Sequence, residues 1–256
     1  MRRPLSLAAA AIGVLALSAC IPTFPSGSGN DSGQSTNPSA SVDTEYQGPA
    51  NSATGGVSLS GDGVVLSDPL NGGDAFKEPS WEDVPHVVTF VDPHCPHCKT
   101  FEDENGEELV DMAESGKITY EVRVVSFMDG ASPNQYSSRA ANALSCVASF
   151  SPNSYFDFLD ELFDEQPSSG SGLSDDELID MARDNGVDAN AEFTACVTEQ
   201  QYTPWVEGIT AAATTSTMPL MSGPIEGTPN IFVNGEKYTG SVDSFNELET
   251  FIQDQQ

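Results

Sequence analysis

The chain has 256 residues, with 9 Lys and Arg against 39 Asp and Glu and a formal net charge of −30. That balance excludes a nucleic-acid partner, because phosphate binding needs Lys and Arg to neutralise a polyanion. Hydrophobic residues make up 38%, enough for a real core, while 22 Gly and 17 Pro point to one globular domain behind an unpacked stretch. In chain order, Arg2 and Arg3 precede an apolar run, 5–19, of the length of a secretory h-region, so residues 1–19 read as a signal peptide. Past this segment no run of about 18 apolar residues could span a bilayer.

The segment Leu17-Ser18-Ala19-Cys20 resembles the lipobox of bacterial lipoproteins, in which a small residue precedes the cut and the cysteine thiol takes the lipid. The resemblance implies lipidation of Cys20 and an extracytoplasmic protein anchored to the cell membrane. An ordinary signal peptide cut near Ala19 is the alternative. Residues 20–56 then read as a lipidated cysteine and a disordered linker, since the Ser, Gly, Asn, Pro and Thr up to about Ala53 cannot bury enough area to offset ordering entropy. A flexible chain of roughly 35 residues spans about 30 to 35 Å, enough to hold a domain clear of a surface.

Val57 to Leu66 alternates around Gly61 and Gly63, as in a short strand or hairpin. His86 to Val91 is a β-branched and aromatic run, the pattern of a buried strand, and it leads into Asp92-Pro93-His94-Cys95-Pro96-His97-Cys98. Phe101, Leu109, Val110 and Met112 among acids predict an amphipathic helix, and Ile118 to Phe127 a second strand. Helices are expected over 132–148, 155–163, 174–185, 191–200 and 203–218, the third opened by a capping box, Ser174 to Glu177. Residues 166–173 read as a plain loop. Asn230 to Val233 is a strand, Asn234-Gly235 a hairpin turn, and a final helix starts from a second capping box, Ser244 to Glu247. The order fits an α/β (α+β) domain with a helical insertion.

Five cysteines are present, and assigning Cys20 to lipid leaves four in an exported protein, where disulfides persist. Cys95 and Cys98, two residues apart, fall in the first turn of one helix. Free amide donors and the positive end of the helix dipole stabilise a thiolate there, and His97 adds to the effect if it is protonated or donates a hydrogen bond. A stabilised Cys95 thiolate favours the reduced pair, which makes the disulfide an oxidant.

A strand delivering Cys95-Pro96-His97-Cys98 into a helix, then Phe101-Glu102, a helical insertion and a late Gly227-Thr228-Pro229 before a strand, resembles the DsbA family of thiol-disulfide oxidoreductases. The similarity covers roughly residues 57–256 and is to the lipid-anchored or membrane-tethered Gram-positive, actinobacterial type. It implies a thioredoxin-like fold with an inserted helical domain, in parts 57–128, 129–201 (the insertion) and 202–256. It also implies Cys95 as nucleophile, Cys98 as buried partner, Pro96 and His97 as tuners of the potential, and Thr228-Pro229 as a cis-proline loop offering backbone hydrogen bonds to an extended substrate. The implied partners are exported client proteins with free thiols and a DsbB-like or VKOR-like membrane reoxidase. Cys146 and Cys196, each on a predicted helix, read as a structural disulfide worth about 4 kcal/mol in the loop-entropy model, with an electron-relaying pair as the alternative.

The acids Glu102, Asp103, Glu104, Glu107 and Glu108 would raise a nearby thiolate's pKa if they faced it, and Lys99 is the nearby cation; they are expected to form a solvated helix face. His94, Cys95, His97 and Cys98 are too crowded for a zinc or copper site, so no metal is expected, and no cofactor motif is present. His86, Trp81 and Trp205 read as packing residues. The remaining alternatives are a reductase or isomerase of the same fold, or a non-catalytic thiol- or metal-binding lipoprotein.

Overall fold

The computed structural model describes residues 47–79 and 84–255; the leader, Cys20, most of the tether and Trp81 lie outside the described residues. Strands β1 (Val57–Ser60) and β2 (Gly63–Val64) form a hairpin. Strand β3 (His86–Val91) is buried along its whole length, which is why its sequence shows no polar alternation. Helix α1 (Pro96–Glu114) then carries the chain to β4 (Thr119–Val124), parallel to β3 with Val87 opposite Tyr120 and Thr89 opposite Val122. A crossover helix of this kind is what a parallel pair requires.

Five helices follow: α2 (Tyr136–Phe150), α3 (Tyr155–Asp164), α4 (Asp175–Asp184), α5 (Ala191–Thr198) and α6 (Thr203–Thr215). Strands β5 (Asn230–Val233) and β6 (Glu236–Lys237) are joined at Asn234-Gly235, both with positive φ (51° and 86°), the conformation a two-residue hairpin turn demands. Helix α7 (Phe245–Asp254) closes the fold. The sheet runs β2-β1-β4-β3-β5-β6, antiparallel except at β3 and β4. Helix α1 packs on β1 and β4, and α6 also packs on β4.

The helical block is organised around α2, which touches α3, α4, α5 and α6. Cys146 on α2 and Cys196 on α5 are disulfide-bonded, with Cα atoms 6.1 Å apart. The fully buried Asn142 donates to the carbonyls of Cys196 and Val197 and accepts from the Tyr202 amide at 2.7 Å, so one amide side chain fastens the turn after α5 to α2. Beneath the sheet lies an ion cluster: Glu121 bonds the His86 ring at 3.0 Å and Arg123 Nε at 2.7 Å. Burial alone would raise the Glu121 carboxyl, but Arg123 and His86 outweigh it and bring it down to about 2. Buried charges must be paired in this way.

Two expectations are corrected. The linker expected over 20–56 does not reach residue 56, because Asn51, Ser52 and Ala53 are buried in the domain. Asn51 donates to the Ala148 carbonyl and accepts from the Ser67 amide, the Ala50 amide donates to Ser149, and Gly48 lies against the Trp205 ring, where a Cβ would come within 2.6 Å. Hydrogen bonds to α2 and to residues 67–77, together with burial of Ala53 and the Gly48–Trp205 contact, order this stretch. The capping box at Ser244 does not form either: Ser244 makes no side-chain cap, and the Glu247 carboxylate accepts from the Ser241 amide instead. At Ser174 both halves of the box are present. Accordingly Ser174→Ala should cost about 1 kcal/mol in urea denaturation, whereas Ser244→Ala should stay within about 0.5 kcal/mol of the parent.

Candidate active site

The end of β3 and the start of α1 place the two thiols. Pro96 occupies the first helical position, where its missing N–H is no loss and its fixed φ suits the helix. Cys95 therefore stands at the N-cap, with its carbonyl accepting from the amides of Cys98 and Lys99. Cys95 is 6% exposed and Cys98 wholly buried, and both are free thiols. The Cys98 Sγ accepts a hydrogen bond from the Asp92 amide at 3.4 Å. Opposite the pair, the Thr228–Pro229 peptide is cis, and the Thr228 carbonyl accepts from the Cys95 thiol at 3.3 Å.

These contacts separate the two sulfurs chemically. The Cys95 thiol is brought down to about 5, foremost by its hydrogen bond with Cys98; burial opposes this, and the Thr228 side chain and the backbone amides of Cys98 and His97 add to it. Burial and the neighbouring Cys95 drive Cys98 the other way, well above the usual thiol range. The site thus favours negative charge on Cys95 and the proton on Cys98. The imidazole of His97 stands exposed beside Pro96, so what His97 contributes to Cys95 is its backbone amide.

Two further residues, Asp92 and Gln166, hold this site together. Asp92 is buried directly beneath the thiol loop, where its carboxylate accepts from the His94 amide, the Ser137 hydroxyl on α2 and the Met128 amide at 2.7 to 2.8 Å. Burial pushes it up to about 6 against these three bonds, and the Cys95 charge adds to the rise. Its signal in the sequence is a lone acid placed immediately after an apolar strand. Gln166 lies in the supposed plain loop, yet its side-chain amide donates to the carbonyls of Pro93 and Cys95 at 3.0 and 3.1 Å. His94 is buried edge-on against Tyr136, with ring centroids 5.4 Å apart.

The acidic face of α1 is also corrected in one place. Asp103, Glu104, Glu107 and Glu108 are exposed, but Glu102 is buried, four residues after Cys98 and so on the same side of the helix. Among the described residues no cluster of three or more potential ligands is arranged to hold a metal ion, and no helix is long and apolar enough to cross a membrane.

Residues 82–254 match the family model described as thioredoxin. The chain belongs to that family. Its fold is similar to the reduced form of the disulfide bond oxidoreductase DsbG from Mycobacterium tuberculosis, at 29% identity over 66% of this chain and 77% of that one, with a TM-score of 0.58. It is similar also to reduced DsbA from Mycobacterium tuberculosis, at 29% identity over 66% and 81% of the two chains and a TM-score of 0.57. BdbD from Bacillus subtilis shares the fold at 19% identity over 83% and 98%, with a TM-score of 0.58. No curated protein matches the chain in sequence. The architecture is thus the thioredoxin-like α/β fold of DsbA structures, with the helices inserted between β4 and β5.

The thiol asymmetry has a pH signature. The thiolate absorbance of the reduced protein should titrate near pH 5, and the alkylation rate of Cys95 should fall with the same midpoint. Cys98→Ala removes the leading cause, so the midpoint should climb toward the ordinary thiol range. An unchanged midpoint would assign the effect to the helix amides alone.

Proposed function

We propose that this chain introduces disulfide bonds into exported proteins through a redox-active Cys95–Cys98 pair. The observation that carries the reading is the asymmetry of the pair: a thiol brought down to about 5 at a helix N-terminus, facing the Thr228 carbonyl, backed by a buried thiol raised well above its usual range. A low-pKa sulfur is a good leaving group and a favoured product, so the oxidised pair gives up its disulfide readily.

A client thiolate attacks Cys95 Sγ of the disulfide, the Cys95–Cys98 bond breaks, and Cys98 leaves and takes up a proton in its buried site. A second client thiolate attacks the client sulfur of the mixed disulfide and expels Cys95 as a thiolate. The client thus loses two electrons to the pair. The Thr228 backbone, with Pro229 holding the loop, is suited to bind an extended client peptide alongside the sulfur. Pro96 and the His97 amide set the helix start, and the Cys146–Cys196 bond has a structural role.

Export and anchoring belong to the same reading. They rest on Arg2, Arg3, the apolar run 5–19 and a lipidated Cys20, with reoxidation by a DsbB-like or VKOR-like membrane partner. Support also comes from the second cysteine pair, joined as a disulfide of the kind oxidising compartments maintain.

Covalent trapping tests the mechanism. Cys98→Ala, primed at Cys95 with an aromatic disulfide reagent and mixed with a client peptide carrying a single thiol, should accumulate a Cys95–client disulfide that reductant releases. With Cys98 present the adduct should be resolved as it forms, and Cys95→Ala should give none. Absence of an adduct in Cys98→Ala would point instead to a non-catalytic binding protein.

A further inference from the structure

Between α1 and α3, below the thiol loop, lies a cleft of about 450 Å³. Six carboxylates line it: Glu102, Asp103 and Glu107 from α1, and Asp157, Asp160 and Asp164 from α3. Tyr120, Phe156, Val110 and Leu159 supply apolar wall. Lys99 stands at its rim, 2.8 Å from Asp103 and 3.6 Å from Asp164.

Acids on two facing helices do not by themselves make a site, but two further observations point to an occupant. Glu102 is 7% exposed, and its Oε1 is buried without a hydrogen-bond partner. An unpaired buried carboxyl oxygen is costly, and burial foremost, then Asp160 and Asp103, push Glu102 up to about 8. Next to it, Gly106 sits in the middle of α1, where glycine destabilises a helix relative to alanine. A Cβ there would come within 2.8 Å of Glu102 Oε2, so this glycine leaves the space that the carboxyl occupies.

We infer that this cleft receives a lysine or arginine side chain of the client polypeptide, near the cysteine being oxidised. The inference rests on the oxidoreductase reading above. The mixed lining favours such a side chain over a bare metal ion: an aliphatic stem can lie along Val110, Leu159 and Phe156 while its cationic head meets the carboxylates. No chelating arrangement of three ligands is present among the described residues. The position suits a client as well. Glu102 lies one turn past Cys98, and Gln166, two residues beyond Asp164, bonds the Cys95 carbonyl, so the upper rim of the cleft adjoins the thiol loop. An extended client covers the roughly 10 Å of helix from Cys95 to Glu102 in about three residues.

The test compares two reduced dithiol peptides that differ only in an Arg or a Gln about three to five residues from the attacking cysteine. The rate constant for reduction of the disulfide form of the full chain is measured for each at low salt. The parent should prefer the Arg peptide by about 10-fold. Glu102→Gln with Asp160→Asn should cut that ratio to about 2-fold, while Asp176→Asn with Asp184→Asn, which replaces two exposed carboxylates on α4, should leave it near the parent value. Equal ratios in the two variants, or no preference in the parent, would overturn the inference. So would thermal stabilisation by calcium chloride that depends on Glu102 and Asp160 while the peptide ratio does not, since that marks a metal site. Failure to oxidise either peptide would instead count against the oxidoreductase reading itself.

Discussion

The placement of the two cysteines at the start of α1, Cys95 at the N-cap and Cys98 buried within the first turn, is the constraint on which the rest depends. There Cys98 and the first-turn amides bring the Cys95 thiol well below its usual pKa while burial foremost holds Cys98 above it, and the placement exists only because a buried strand delivers the loop to a helix N-terminus. β3 is fixed on both sides, parallel to β4 and antiparallel to β5, so its end has little freedom. Pro96 at the first helical position lets the helix begin directly after Cys95, and burial of Cys98 keeps the second thiol protonated. The cis Thr228–Pro229 loop precedes β5, the other neighbour of β3, and so faces the same end of the sheet.

What secures this arrangement is largely polar. Asp92 ties the thiol loop to the connection after β4 and to α2, and Gln166 ties the same loop to the end of α3. Asn142 holds the turn after α5, and Asn51 fastens the N-terminal segment to α2. The ion cluster of His86, Glu121 and Arg123 lies under the sheet, with Arg123 reaching the Pro219 carbonyl near the approach to the cis loop. Buried hydrogen-bonded networks of this kind rigidify a core and favour one arrangement. In a chain with a net charge of −30, each buried acid must be tied to a partner or protonated; Glu121 and Asp92 take the first course, and Glu102 is pushed toward the second.

The elements framing the site were legible because each is written in a short-range code. The apolar run of β3, the cysteine spacing entering α1 and the Asn234-Gly235 turn each have a local physical cause, and the structure places them at the positions read. The features missed are those decided at a distance. The polarity of residues 47–53 concealed hydrogen bonding to α2, nearly a hundred residues away. Ser244 matched a cap pattern, but Ser241 takes its glutamate. Glu102 read as one acid among several on a wet face, because helical spacing does not tell which flank α3 covers. Asp92 and Gln166 bond to groups that only the tertiary fold brings near.

The claim that the Cys95 thiolate makes the disulfide an oxidant is tested most directly by the equilibrium reduction potential of the Cys95–Cys98 pair, measured against glutathione at neutral pH. The account predicts a value closer to about −120 mV than to about −270 mV, the two ends of the range spanned by strongly oxidising and reducing thioredoxin-fold proteins. A value near the lower end would contradict it and make the protein a reductase.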